Sequence, residues 1–151
     1  MTERKILVYC DGGCRGNGQK NNIGGWGVVL QWGEYVKEFH GSVKDTTNNQ
    51  MELTSIIEAL KRIKNKDIPV EVVMDSKYVI KGITEWIHAW TRNGWVTSTK
   101  KPVENKDLWI ELLSLKNQFK EISFSLCKGH AGNEGNNRAD ELANIAMDKI
   151  A

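Results

Sequence analysis

The sequence predicts an α/β fold, a mixed sheet covered by helices, and two observations carry that expectation. Short β-branched runs are interleaved with longer stretches whose apolar residues recur at helical spacing. Their order is three strands, a helix, a strand, helices, a strand and a last helix, which fits antiparallel hairpin pairing followed by parallel crossovers. The chain has 151 residues, 40% hydrophobic and 26% charged, in the range of one ordinary globular domain over residues 1–151.

Taken in order, residues 5–10 read as a β-branched strand that Gly12-Gly13 should stop. Residues 26–32 alternate Trp, Val, Leu and Trp at even positions, and Gly33-Glu34 then reads as a two-residue turn. Glycine in first place suits a type II′ turn, so residues 35–43 should return as the antiparallel partner. The glycine-rich stretch 12–27 reads as a strand connection; it lacks the lysine-serine signature of a phosphate loop.

Thr47-x-x-Gln50 has capping-box form, and Leu53, Ile56, Ile57, Leu60 and Ile63 repeat at helical spacing, predicting a helix over about 48–63. Glu52 falls beside that apolar stripe, so it should reach along the sheet edge rather than face water. Pro69 opens a short buried strand, 70–74, whose carboxyl end presents Asp75. A strand-helix-strand path favours parallel pairing with the first strand, which would bring Asp75 beside Asp11.

The chain then reads as helical to about residue 92, and Gly94 and residues 97–103 break the pattern. Leu108, Leu112, Leu115 and Phe119 mark another helix, residues 122–127 a strand, and Ala139, Leu142, Ala143, Ala146 and Ile150 a final helix.

Charge and cysteine usage narrow the function classes. The net charge of +2 is too small to announce a nucleic-acid binder. Its distribution says more: residues 76–106 hold six basic and two acidic side chains, a local +4 that leaves −2 elsewhere. There is neither an apolar signal segment nor a span long enough to cross a bilayer, so a cytoplasmic chain with no membrane partner is expected, a monomer by default. Cys10, Cys14 and Cys127 form no even framework and read as reduced thiols. Cys10, Cys14, Cys127 and His130 supply four potential zinc ligands, but their spacing fits no common zinc motif closely.

Asp11, Glu52, Asp75 and Asp140 each follow or enter a strongly patterned segment, so the fold can gather them. Each alone would more often be a solvated carboxylate, or a helix N-terminal charge for Glu52 and Asp140. Gathered, they call for a divalent cation, and oxygen-only donors favour magnesium over softer metals. His130, between Gly129 and Gly132, has the near-neutral titration that suits a proton shuttle.

Several motifs agree in order and spacing: Asp11-Gly12-Gly13-Cys14 with Gly16-Asn17, the run Thr46-Thr47-Asn48-Asn49-Gln50-Met51-Glu52-Leu53, and Asp75-Ser76-Lys77-Tyr78-Val79. They continue with Gly82-Ile83-Thr84-Glu85-Trp86-Ile87, Lys128-Gly129-His130-Ala131-Gly132 and Asn137-Arg138-Ala139-Asp140-Glu141-Leu142-Ala143. Over nearly its whole length the chain resembles a type 1 ribonuclease H.

That resemblance implies a ribonuclease H-like fold, a five-stranded mixed sheet flanked by helices on both faces. It also implies endonucleolytic hydrolysis of the RNA strand of RNA·DNA hybrids by two metal ions, leaving 5′-phosphate and 3′-hydroxyl ends. By motif match Asp11, Glu52, Asp75 and Asp140 are metal ligands for Mg2+, with Mn2+ a possible substitute, and His130 assists proton transfer or product departure. Trp86, Trp90 and Trp95, with Arg92, Lys100 and Lys101, match a basic protrusion that holds the hybrid. At least one of those tryptophans is expected to pack instead, since Trp86 and Trp90 share one helix face.

Asn17, Asn48 and Glu52 can exchange hydrogen bonds with a 2′-hydroxyl. Thr47, at a helix start, suits a DNA-strand phosphate, and helix capping is compatible with that role. Lys77 stands where similar enzymes commonly carry glutamine, and either tightens phosphate contact or alters metal affinity. Gly13 replaces a frequent serine, and the loop over residues 17–24 is longer than usual and lacks prolines. The rival readings are a hybrid-binding protein without catalysis and a DNA-directed nuclease of the same fold.

Overall fold

The computed structural model describes residues 4–127 and 133–151. Five strands form one sheet: β1 (Ile6–Arg15), β2 (Ile23–Trp32), β3 (Tyr35–Lys44), β4 (Val70–Met74) and β5 (Ile122–Leu126), in the order β3-β2-β1-β4-β5. β2 pairs antiparallel with β1 and β3, whereas β4 runs parallel to β1 and β5, so the sheet is mixed as expected. The turn joining β2 to β3 is two residues long, with Gly33 at φ 61 and Trp32 paired to Tyr35.

The helices are α1 (Asn48–Lys61), α2 (Lys77–Lys81), α3 (Ile87–Arg92), α4 (Lys106–Lys116) and α5 (Glu134–Asp148). Strand residues alternate between two cores, as the period of two requires. Val8, Cys10 and Val28 join α1 residues Leu53, Ile56 and Leu60 and the α4 residues Trp109 and Leu112 in the larger one. Tyr9 and Val29 meet Ala139 and Leu142 of α5 in the smaller one. Helices therefore cover both faces. Among the described residues, no helix is long and apolar enough to cross a membrane.

Several expected boundaries move. Gly12-Gly13 do not stop β1, which runs on to Arg15 while β2 starts at Ile23, so the connection shrinks to residues 16–22. Of the glycines that read as a loop, Gly12, Gly25 and Gly27 are instead strand residues facing helix backbone. Residues 77–92 are helical throughout, as expected, with a π-helical turn, Gly82–Trp86, between α2 and α3. Phe119 lies beyond α4 but still packs into the larger core, and Ile150 lies beyond α5. The capping box is half formed. Thr47 accepts the Gln50 amide at 3.1 Å, but the Gln50 side chain accepts from the Thr46 hydroxyl and donates to Asn105.

Candidate active site

The sheet's register brings the first two carboxylates together. β1 and β4 pair Ile6 with Val70 through Tyr9 with Val73, and continuing that parallel register two residues sets Asp75 alongside Asp11. Asp11 sits at the centre of the sheet and is 8% exposed.

Two glycines next to it let the flanking helices deliver the other two. A Cβ at Gly12 would lie 2.2 Å from the Met51 carbonyl oxygen and 2.6 Å from the Glu52 amide nitrogen, so only glycine lets the first turns of α1 settle there with Glu52. On β2, Gly27 pairs with Asp11. A Cβ there would lie 2.2 Å from the Ala139 carbonyl oxygen, so α5 comes down beside Asp11 with Asp140 the next residue along. Glu52, Asp75 and Asp140 are all half-buried.

Electrostatics record the convergence. Asp11 is pushed up to about 9 by burial first, then by a hydrogen bond in which its protonated carboxyl donates to Asp140, and by the charges of Asp75, Asp140 and Glu52. Glu52 rises to about 6, chiefly through burial and with a contribution from Asp75, against a hydrogen bond donated by the Ser76 hydroxyl. That hydroxyl also accepts the Val79 amide at 3.1 Å as the N-cap of α2. Among the described residues, none of the four acids makes a salt bridge. Nor do any three Asp, Glu, His or Cys side chains there stand close enough to form a ready cation cage.

These facts together describe an open cluster of mutually repelling carboxylates with no salt-bridge partner among the described residues. The donor set fits a hard divalent cation that retains several of its waters, as magnesium does. It does not fit zinc. Cys10 is fully buried in the larger core, and it stands four residues from Cys14 along one extended strand, about 13 Å at strand rise. The remaining predicted catalytic residue, His130, lies outside the described residues.

The expected binding residues fall into two groups. Asn17, Thr47 and Asn48 line one hollow of about 380 Å³ together with Gly18, Asn49, Glu104 and Asn105. Asn17 accepts the Asn48 backbone amide at 3.1 Å, fixing the helix start against the β1–β2 loop. The second group is the protrusion. Trp86 is 39% exposed, whereas Trp90 and Trp95 pack against the larger core, as expected for at least one of them. Ring centroids are 6.0 Å apart for Trp86 and Trp90 and 6.2 Å for Trp90 and Trp95, and Trp90 meets Trp109 edge-on at 5.2 Å. Arg92, Lys100 and Lys101 are exposed beyond these rings, and Lys77 is exposed beside the acids.

Two residues escaped the sequence reading. Ser76 orients Glu52, and its position after Asp75 at a helix start was the available signal. Asn105 holds a left-handed backbone at φ 59, donates to the Tyr78 hydroxyl and accepts from Gln50, linking the protrusion to α1. No sequence period points to it. A cavity of about 300 Å³ lined by Ile6, Leu30, Trp32, Tyr35, Arg62 and Ile63, among others, holds none of the expected site residues.

Comparisons with known proteins agree with one another. The profile of the RNase H family matches residues 3–148. A ribonuclease H from Ruthia magnifica is 55% identical over 147 residues, covering 97% of this chain and 98% of the relative. Among solved structures, LC9-RNase H1, described as a type 1 RNase H with the type 2 active-site motif, superposes at a TM-score of 0.82 with 32% identity, covering 100% of this chain and 75% of that one. LC11-RNase H1 in complex with RNA/DNA hybrid gives a TM-score of 0.72 and 30% identity, with 97% and 99% covered.

Proposed function

The chain belongs to the ribonuclease H family, and from that premise we propose that it is an endonuclease cutting the RNA strand of RNA·DNA hybrids with two divalent cations, leaving 5′-phosphate and 3′-hydroxyl ends. The observation that carries this reading is the convergence of Asp11, Glu52, Asp75 and Asp140, none of which makes a salt bridge among the described residues. Magnesium is the proposed cofactor, with manganese able to stand in.

When bound, the two ions supply an activated water and neutralise charge on the scissile phosphate and the leaving oxygen. Asp11 and Asp140, hydrogen-bonded across the β1–α5 contact, would hold the ions together with Asp75 and with Glu52, which the Ser76 hydroxyl orients. His130 is proposed to carry a proton to or from the departing product. Asn17, which accepts the Asn48 backbone amide, and Asn48 are proposed to read the 2′-hydroxyls of an RNA strand, and Thr47, the N-cap of α1, to meet a DNA phosphate. Trp86, Arg92, Lys100 and Lys101, with Lys77 nearer the acids, extend the grip along the backbone.

The test incubates the chain with labelled RNA·DNA hybrid, duplex DNA and duplex RNA, each with magnesium or chelator. Magnesium-dependent cutting of the RNA strand of the hybrid alone is expected, and Asp75→Asn should abolish it. Hybrid bound but left whole would favour a non-catalytic binder; cutting of duplex DNA would favour a DNA-directed nuclease.

A further inference from the structure

Helix α5 rests on an unusually smooth stretch of sheet. Gly25 and Gly27 of β2 meet the backbone of Ala143 and Ala139, where a Cβ would lie 2.4 Å and 2.2 Å from the carbonyl oxygens. Facing small residues permit close approach but offer few ridges and grooves to stop one element sliding along the other. Yet Asp140 must be held against Asp11 across this contact.

Two polar ties bracket Asp140 in the chain. Two residues before it, Arg138 donates to Glu38 of β3 through both Nε, at 2.7 Å, and Nη2, at 2.9 Å, a two-pronged arrangement spanning 100 residues of sequence. On the other side, Arg15 at the end of β1 reaches Asn144 Oδ1 at 3.1 Å and Asp148 Oδ1 at 2.8 Å. Asn144 in turn donates its amide to the Asp140 backbone carbonyl at 3.0 Å. Asp11 lies four residues before Arg15 on the same strand, so this second tie joins the strand of one ligand to the helix of the other. Exposed ion pairs contribute little to stability as a rule, but a paired fork fixes direction as well as distance.

We propose that Arg138–Glu38 and Arg15–Asn144/Asp148 are positioning pairs that set where α5 stops along β2, and with it the spacing of Asp11 and Asp140 that determines affinity for the divalent cation. The proposal rests on the reading of those acids as metal ligands. Neither arginine touches the reacting atoms; both act through Asp140.

The test titrates magnesium chloride alone into the full chain, following binding heat and melting temperature. The variants are Glu38→Gln, Arg15→Ala, their combination, and the charge exchange Glu38→Arg/Arg138→Glu. Outer partners of metal ligands commonly change affinity by about 10–100-fold. The combined variant is expected to need about 10-fold more magnesium at the midpoint, with KM for hybrid unchanged once magnesium is saturating, and the exchange variant should need less than Glu38→Gln. Should the melting temperature in chelator fall while the midpoint stays at the wild-type value, the pairs only stabilise the fold and the proposal is wrong. If the combined variant does not fold, the single variants decide on the same criterion. Asp11→Asn separates the layers: magnesium binding that survives this change overturns the metal-site reading itself, whereas loss there with unmoved midpoints in the pair variants overturns only the positioning role.

Discussion

At the scale of single residues, Asp11 concentrates the tension of the site, since a carboxyl buried at the centre of the sheet faces three other acids. A group whose folded-state pKa is raised binds its proton more tightly folded than unfolded. Its stabilising contribution is therefore complete below its ordinary value of 3.8 and is lost as pH rises towards about 9. In chelator, urea midpoints of the wild type should fall across that window, and millimolar magnesium should flatten or reverse the fall. Asp11→Asn stays neutral throughout. Its melting temperature in chelator at pH 8 should exceed that of the wild type by about 2–4 °C, the response of a chain this long to roughly 1 kcal/mol, while hybrid cleavage is lost. A lower melting temperature than wild type would show that burial and repulsion do not act on this residue as described. The four acids were legible because each carries a local motif. Ser76 was legible only as the N-cap of the helix after Asp75, and Asn105 not at all, because a hydroxyl aimed at Glu52 and a left-handed asparagine become meaningful only once distant elements meet.

At the scale of elements, the glycines of β1 and β2 explain both the main misreading and the main constraint. Local pattern treats Gly12-Gly13 and Gly24-Gly25 as breaks, because glycine weakens an isolated strand. Here the strands continue, since removing Cβ atoms lets α1 and α5 approach, a gain that no local window contains. The elements with strong periods or caps, α1, β4 and the β2–β3 hairpin, were readable at nearly their true bounds. The π-helical turn was not, because its widened register follows from packing rather than from apolar spacing. Gly27→Ala tests the constraint directly. The new methyl would strike the Ala139 carbonyl, and such overpacking costs about 1–3 kcal/mol. The melting temperature should drop by about 2–4 °C for each of those kcal/mol. Magnesium affinity should drop as well, because α5 must rise off the sheet with Asp140; an unchanged affinity would separate helix seating from ligand placement.

At the scale of the whole molecule, the charge asymmetry and the sheet divide the work. The acids gather at the sheet centre, while Arg92, Lys100 and Lys101 of the basic segment lie exposed on the protrusion whose tryptophans anchor it to the larger core. Trp90 and Trp95 are held by packing, so only Trp86 offers much ring surface to a ligand. Most of the protrusion's affinity must then be electrostatic, and counterion release makes such affinity fall with salt. Replacing Lys100 and Lys101 by alanine should raise KM for hybrid and flatten the plot of log KM against log salt by about 1 for each lysine that meets a phosphate. The magnesium midpoint should not move, because neither lysine pairs with any of the four acids. Steady-state KM measured from about 50 to 200 mM salt covers the range in which several phosphate contacts alter affinity by orders of magnitude. A slope equal to that of the wild type would remove the protrusion from the binding surface and leave hybrid recognition to the hollow around Asn17, Thr47 and Asn48.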